Sequence, residues 1–463
     1  MANYYVNSSS TGTGDGTTTA TTGVNAAFKT IAEVNAATFA AGDSILFNRG
    51  QTWREQLVPD SGSVSGHITY GAYGLGNKPL LLGSVTKNLT GDWTDQTGNL
   101  WKTATNSFLI DVGNLIFNNE ASCGIKQMSA TPTLDTQGDF WYDFDNNSIT
   151  MYSVGNPATF YTNIECALRQ NAVELGNGQD YVILDGLDIR YAGSHAVGCI
   201  HNDNIIIRNN HISFIGGGDA GNNYSYRYGN GIEFAEGATN CLAEKNVIDN
   251  CFDTTTTSQG GGANHIASNV IFRNNICSNS EMLFEYWQKG TGANVDSVYF
   301  ENNTCINAGS GWGHNQRPDS QGRSLALYAS EITPTNIYVR NNIFYGSTDY
   351  VVFIQDATAM AGVTVDYNCY YPTSGNIFEW DWSSYTFTNY KIATSQDAHS
   401  ISADPLFIST SDFHLQSGSP AINAGVTIAT VTDDYDGVSR TNNTYDIGAY
   451  EMADIKFFIG VSP

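Results

Sequence analysis

Apolar and polar residues alternate with a period of two over short runs in the middle of this chain, and the runs share a common ending. Segments 204–212 (NIIIRNNHI), 240–248 (NCLAEKNVI), 269–277 (NVIFRNNIC), 297–305 (SVYFENNTC), 336–344 (NIYVRNNIF) and, more loosely, 362–370 (GVTVDYNCY) each read as an alternating strand, a bend at asparagine and a second short strand. A further strand pattern follows each corner, at 194–200, 231–234, 282–286, 324–328, 350–354 and 377–380. Spacings of tens of residues between equivalent strands exclude hairpins and predict a solenoid whose rungs return to the same three faces, about 4.8 Å apart. The asparagines at 210, 246, 275, 303, 342 and 368 are expected at the corners. There they can adopt left-handed backbone angles and stack their amides into an internal ladder.

The ends depart from the repeat. Residues 27–35 predict a short amphipathic helix plugging the first rung, followed by strands at 44–48 and 67–72. Residues 85–165 interrupt the pattern, and 140–152 (FWYDFDNNSITMY) reads as a hairpin within a small β insert. The organisation expected is a cap with first rungs over 1–84, the insert over 85–165, a central parallel β-helix over 166–380, and terminal rungs with a cap over 381–463. The eight cysteines lack paired CxxC spacing, which gives zinc little support. Cys277, Cys305 and Cys369 are read as small buried hydrophobes in one stack rather than disulfide partners. The Asp433-to-Gly437 run (DDYDG) lacks the later glutamate of a calcium loop and is read as a structural turn.

Composition narrows the function. With 45 acidic and 20 basic residues the formal charge is −25, which disfavours nucleic acid and anionic membranes as partners and makes neutral or weakly acidic sugars the easier ligands. Aromatic residues make up 12% of the chain, 26 of them tyrosines, a supply suited to stacking on sugar rings. No apolar run approaches the roughly 20 residues of a membrane-crossing helix. Residues 1–6 lack the charged and apolar regions of a signal peptide. The expectation is a protein acting outside the cell or at its surface after loss of a signal, or carried on a virion as a tailspike, as a monomer or a homotrimer.

Segments 180–190 (DYVILDGLDIR), 404–407 (DPLF), 415–425 (LQSGSPAINAG) and 446–451 (DIGAYE), with the Asn-Asn repeats, resemble the pectate-lyase-like superfamily of right-handed parallel β-helix proteins. The resemblance spans most of the chain. It implies an all-β, three-faced right-handed parallel β-helix and a carbohydrate ligand, since polysaccharide lyases, glycoside hydrolases, epimerases and tailspikes share that fold.

Two long turns, 216–230 and 309–323, precede strands of the same face three rungs apart, so they are expected to wall a cleft. The floor between them is acidic, with Glu233, Asp253, Glu281 and Glu285 as catalytic candidates. Alternation in 282–287 places Glu285 outside and Met282, Phe284 and Tyr286 inside. Hydrolysis of a glycosidic bond requires one acid and one carboxylate, and neighbouring rungs supply both; Asp253 and Glu285 are the leading pair. For substrate binding the walls offer Tyr224, Tyr226 and Trp312 for stacking and Arg227, His314, Gln316, Arg317 and Arg323 for hydroxyls or carboxylates. Tyr228 belongs to the same wall. The principal expectation is therefore a glycoside hydrolase of polysaccharides that requires no cofactor. Two alternatives stand beside it: β-elimination on a uronate glycan, with the acidic floor holding calcium, and non-catalytic gripping by a glycan-binding spike or adhesin.

Overall fold

A computed structural model of the 463-residue chain describes all residues except 177, 262–266, 290–294, 320, 330–334, 357–360, 372–374, 376, 441–443 and 453–463. Three sheets of stacked, predominantly parallel strands form a β-helix, with ten strands in the first, ten in the second and nine in the third among the described residues. One central rung shows the path: Thr239–Glu244 in the first sheet, Val247–Cys251 in the second and Thr254–Gly261 in the third. The same circuit repeats with Ala267–Arg273, Ile276–Ser278 and Met282–Lys289. Inward side chains pile into columns, such as Phe344 on Tyr370 at 5.5 Å between ring centroids, and these columns form one continuous core.

The amino-terminal plug is shorter than the sequence predicts. Its helix is Ile31–Ala36, because Thr30 caps it and Glu33 closes a capping box, while Phe28 is still extended against Val6. An additional first-sheet strand, Asn3–Val6, lies under Ser44–Asn48 and extends the solenoid by one strand beyond the expected start. At the other end the helix Phe387–Thr394 covers the last rung, with buried Tyr390 stacked 4.8 Å from Phe378.

The asparagine ladder forms. Asn210, Asn246, Asn275, Asn303, Asn342 and Asn368 are fully buried, and each side-chain oxygen from Asn246 onward accepts from both the backbone N–H and the Nδ2 of the preceding asparagine, at 2.9–3.1 Å. Each Nδ2 also donates to a backbone carbonyl of the previous rung, for example Asn275 to the Ala243 oxygen at 2.9 Å. The left-handed residue is not the ladder asparagine but its predecessor: Asn209, Lys245, Asn274, Asn302, Asn341 and Tyr367 have φ between 52° and 58°. Asparagine at the ladder position is thus selected by its amide, which serves as donor and acceptor in one plane, and not by its backbone tolerance.

Cysteines follow the expected burial with one change of column. All eight are free thiols. Cys277 and Cys305 are in register, but Cys369 aligns with Ile343 and contacts the carboxy-terminal cap around Leu415 and Ile447. Its sequence offset from the ladder asparagine, one residue rather than two, turns it to the other side of the strand. The 433–437 turn is structural: Asp433 pairs with Lys245 at 2.6 Å, and buried Asp434 accepts from the Val438 and Glu451 amides.

The insert leaves the helix at Ser84–Thr86 and returns antiparallel to it at Ile164–Leu168. Leu80–Leu82 then pairs directly with Asp188–Arg190, so the rungs on either side of the insert close as if it were absent. Its hairpin pairs Asp139–Asp143 with Ser148–Tyr152. Phe140, Tyr142, Ile149 and Met151 are buried in the insert's own core.

The ladder makes a stability prediction. Asn275→Ala removes hydrogen bonds to Asn246, Asn303 and Ala243 and strands their buried partners, so urea unfolding should show a loss of about 3 kcal/mol or more. Truncating the exposed, outward-facing Thr364 to alanine should cost less than about 0.5 kcal/mol. Equal losses from the two variants would deny the ladder its role.

Candidate active site

The third sheet's outer surface carries a column in register: Gly198, Glu233, Thr257, Glu285 and Ala326. Alternation places Glu285 on it, because Phe284 and Tyr286 on either side are fully buried inside. Thr257 Oγ1 and Gln259 Nε2, one rung below, donate to its Oε2 at 3.1 and 2.9 Å. At the corner preceding this sheet, Asp253 and Glu281 occupy equivalent places on successive rungs, since Thr254 aligns with Met282. The Asp253 backbone is held from both directions, its N–H by the Gly229 oxygen and its C=O by the Met282 N–H.

Loop 309–323 places the cations. Arg317 bonds Asp253 at 3.0 Å and Asp319 at 3.0 Å and lies 3.7 Å from Glu281. His314 Nδ1 sits 2.6 Å from Glu281 Oε2, and the Gln321 N–H donates to the other oxygen. Ser320 of this loop lies outside the described residues. On the next rung back, Glu233 pairs with His195 at 2.7 Å and accepts from Asn230 Nδ2 at 2.9 Å.

These partners separate the acids electrostatically. Burial pushes the Glu285 carboxyl up to about 8, and the nearby Asp253 charge pushes in the same direction, so Glu285 is a neutral acid at pH 7. Asp253 is also raised by burial, but the Arg317 guanidinium opposes this. Burial raises Glu281 while its bond to His314 counteracts it. Glu233 goes the other way: the His195 imidazolium overcomes burial and holds it below the usual carboxylate range. Burial thus raises both Glu285 and Asp253, which lie within Coulombic reach of each other, and of the two only Asp253 is bonded to an arginine that favours its charged form.

The walls consist of the two loops and the insert. Lys126 and Asp111 form a buried pair at 2.6 Å, and Asp111 also accepts from the Asp219 N–H at 2.7 Å, locking the insert onto loop 216–230. Several predicted sugar ligands serve this junction. Arg227 donates to the Gly217 and Gly113 carbonyls and to Gln316, with its guanidinium 4.3 Å from the Phe252 ring. Gln316 in turn donates to the Gly124 carbonyl. Trp312 is fixed by its Nε1 bond to the Asn250 carbonyl, and Tyr224 donates to the Tyr142 carbonyl and stacks on Trp141. Tyr228 accepts from Ser194 and meets His195 edge-on. Gly217 lets the wall close, since a Cβ there would lie 2.5 Å from the Gly113 oxygen and 2.8 Å from Trp312.

Tyr226 remains 62% exposed and, with Arg227, Phe252, Gln316, Arg317 and Asp319, lines a cleft of about 470 Å³ that meets the acids through the Arg317–Asp253 bond. Arg323 forms the far wall, paired with Asp349 at 3.1 Å and with Tyr328 at 2.8 Å and lying 3.5 Å over Phe353. The structure thus brings all four predicted acids together with His314, Arg317 and Arg323, and ties Tyr224, Arg227, Trp312 and Gln316 into the loop–insert junction. His195, Thr257, Gln259, Asp319 and Tyr328 were not among the predicted residues. The sequence placed His195 and Tyr328 on the strand patterns 194–200 and 324–328 and Asp319 in the long turn 309–323, but marked none of them as a site residue. Among the described residues no group of three or more His, Cys, Asp or Glu side chains is arranged to hold a metal ion.

No protein-family profile and no curated protein matches the sequence. Among solved structures, one described as XylC in complex with xylose aligns with 97% of this chain and 98% of its own, at TM-score 0.50 and 13% identity. Pectate lyase Pel9A aligns with 98% of this chain and 97% of its own, at TM-score 0.50 and 13% identity. The likeness is one of architecture across nearly the whole length, and the chain is a right-handed parallel β-helix.

Proposed function

We propose that this protein is a glycoside hydrolase that cleaves a polysaccharide in the cleft on its third sheet, outside the cell. What carries the reading is the pairing of Glu285, whose carboxyl burial pushes up to about 8, with Asp253, which Arg317 bonds at 3.0 Å. Glu285 donates its proton to the glycosidic oxygen as the bond to the anomeric carbon breaks. Asp253 either attacks that carbon or takes a proton from the water that does, and the transition state gains positive charge beside it. Glu281 orients His314, and Asp319 and Asp253 together fix Arg317 for sugar hydroxyls. Two structures of the same fold, XylC with xylose and a pectate lyase, support carbohydrate as the substrate class.

A second reading has its own observation. Glu281 and His314 form a carboxylate–imidazole dyad next to Arg317, a constellation able to remove the proton beside a neutralised uronate carboxylate. Products decide between the readings: hydrolysis gives new reducing ends without the near-ultraviolet absorbance of unsaturated uronates, elimination gives both, and a pure binder gives neither.

On a substrate found by screening, Glu285→Gln and Asp253→Asn should each lower kcat by about 100- to 10,000-fold with little change in melting temperature below pH 5. Wild-type rates from both single variants would remove the assignment. A substrate-free consequence follows from the raised Glu285 pKa. The folded protein holds this proton up to about pH 8, whereas the unfolded chain releases it near the ordinary glutamate value of 4.5, so stability falls as pH rises across that window. Glu285→Gln abolishes this loss. Its melting temperature relative to wild type should climb between about pH 4.5 and 8, and a flat difference would show an ordinary glutamate.

A further inference from the structure

A second cavity lies on a different face of the solenoid. On the outer surface of the second sheet Ile306, Tyr345 and Tyr371 align in register, and the two tyrosine rings stack at 5.2 Å. The carboxy-terminal cap returns beside them, bringing Phe407 5.5 Å from Tyr345 and Phe413 5.3 Å from Phe407. Between sheet and cap a groove of about 390 Å³ is left, lined by Tyr345, Phe407 and Phe413 and by Asn307, Asp404 and Gln416.

The lining has the composition of a sugar site. Tyr345, Phe407 and Phe413 are half-buried rings of the kind that cover the C–H face of a pyranose. Asn307 and Gln416 are exposed amides. Gln416 uses its nitrogen on the Phe407 carbonyl, which leaves its oxygen as an acceptor, and Asp404 uses one carboxylate oxygen on the Leu406 N–H. Among the described residues no lysine, arginine or histidine lines the groove, and the one charged side chain there, Asp404, is acidic, so an anionic ligand is disfavoured. The volume falls within the ordinary range for small-molecule sites. Packing of the cap onto the sheet accounts for the rings meeting, but not for a polar-rimmed space left between them.

We propose that this groove is a second, non-catalytic binding site for a short segment of a neutral oligosaccharide. It lies on the second sheet whereas the acids belong to the third, so a polymer held there stays tethered while another stretch enters the cleft. The site does not depend on whether the acids hydrolyse, eliminate or only bind.

The test is a neutral-oligosaccharide array, followed by calorimetry on the ligands found, with Phe413→Ala, Asn307→Lys and the cleft variant Asp253→Asn compared in the full-length protein. Asn307 is exposed, so lysine there obstructs the groove without opening the core. Each groove variant should weaken one class of binding roughly tenfold or more while Asp253→Asn retains it. Absence of any neutral ligand, or binding lost in Asp253→Asn and kept in both groove variants, would overturn the second site. The hydrolytic reading would be untouched, because it is judged by products and by Glu285.

Discussion

Buried amide-to-amide hydrogen bonding along the asparagine ladder is the constraint on which the rest of the structure depends. A parallel β-helix turns a corner once per strand, and each corner carries backbone groups that neither sheet can pair. Six asparagines supply the missing donors and acceptors from rung to rung, and the left-handed residue before each makes the bend. Because every ladder asparagine is bonded to the next, the register of one rung fixes that of its neighbour. A slip of one residue would turn the inward columns outward.

The site inherits this register. Asp253, Glu281, Glu233 and Glu285 are separated by up to 52 positions, yet they converge because successive rungs present equivalent corners and columns. The insert adds what the solenoid alone cannot. A flat sheet face is solvated, whereas the Lys126–Asp111 pair and the Arg227–Gln316 brace raise a wall beside the acids. Burial by the surrounding walls favours the neutral form of Glu285, and Arg317 favours the charged form of Asp253. Fold and acid–base chemistry are thus linked through desolvation.

Legibility in the sequence follows the range of the interaction. The Asn-Asn repeats show the fold plainly, because corner and strand alternation are local and recur. The four acids were legible because alternation assigns the outer face and loop insertions mark the cleft. What failed was finer or longer in range. Cys369 was displaced by one position, and the helix at the amino terminus began later because Thr30 takes the cap. Tyr224, Arg227 and Gln316, expected as binding residues, also brace an insert whose docking no spacing rule could foresee. His195 was missed for the same reason, since its partner Glu233 is 38 residues away on the next rung.

The central claim is that Glu285, beside Asp253 on the third sheet, carries a proton near neutrality. Infrared difference spectroscopy between the protein and its Glu285→Gln variant at pH 6.5 tests it without any substrate. A protonated carboxylic acid stretch that disappears in the variant and fades in wild type as pH passes about 8 is the result this account requires. Loss of carboxylate bands alone, with no acid stretch in wild type, would contradict it.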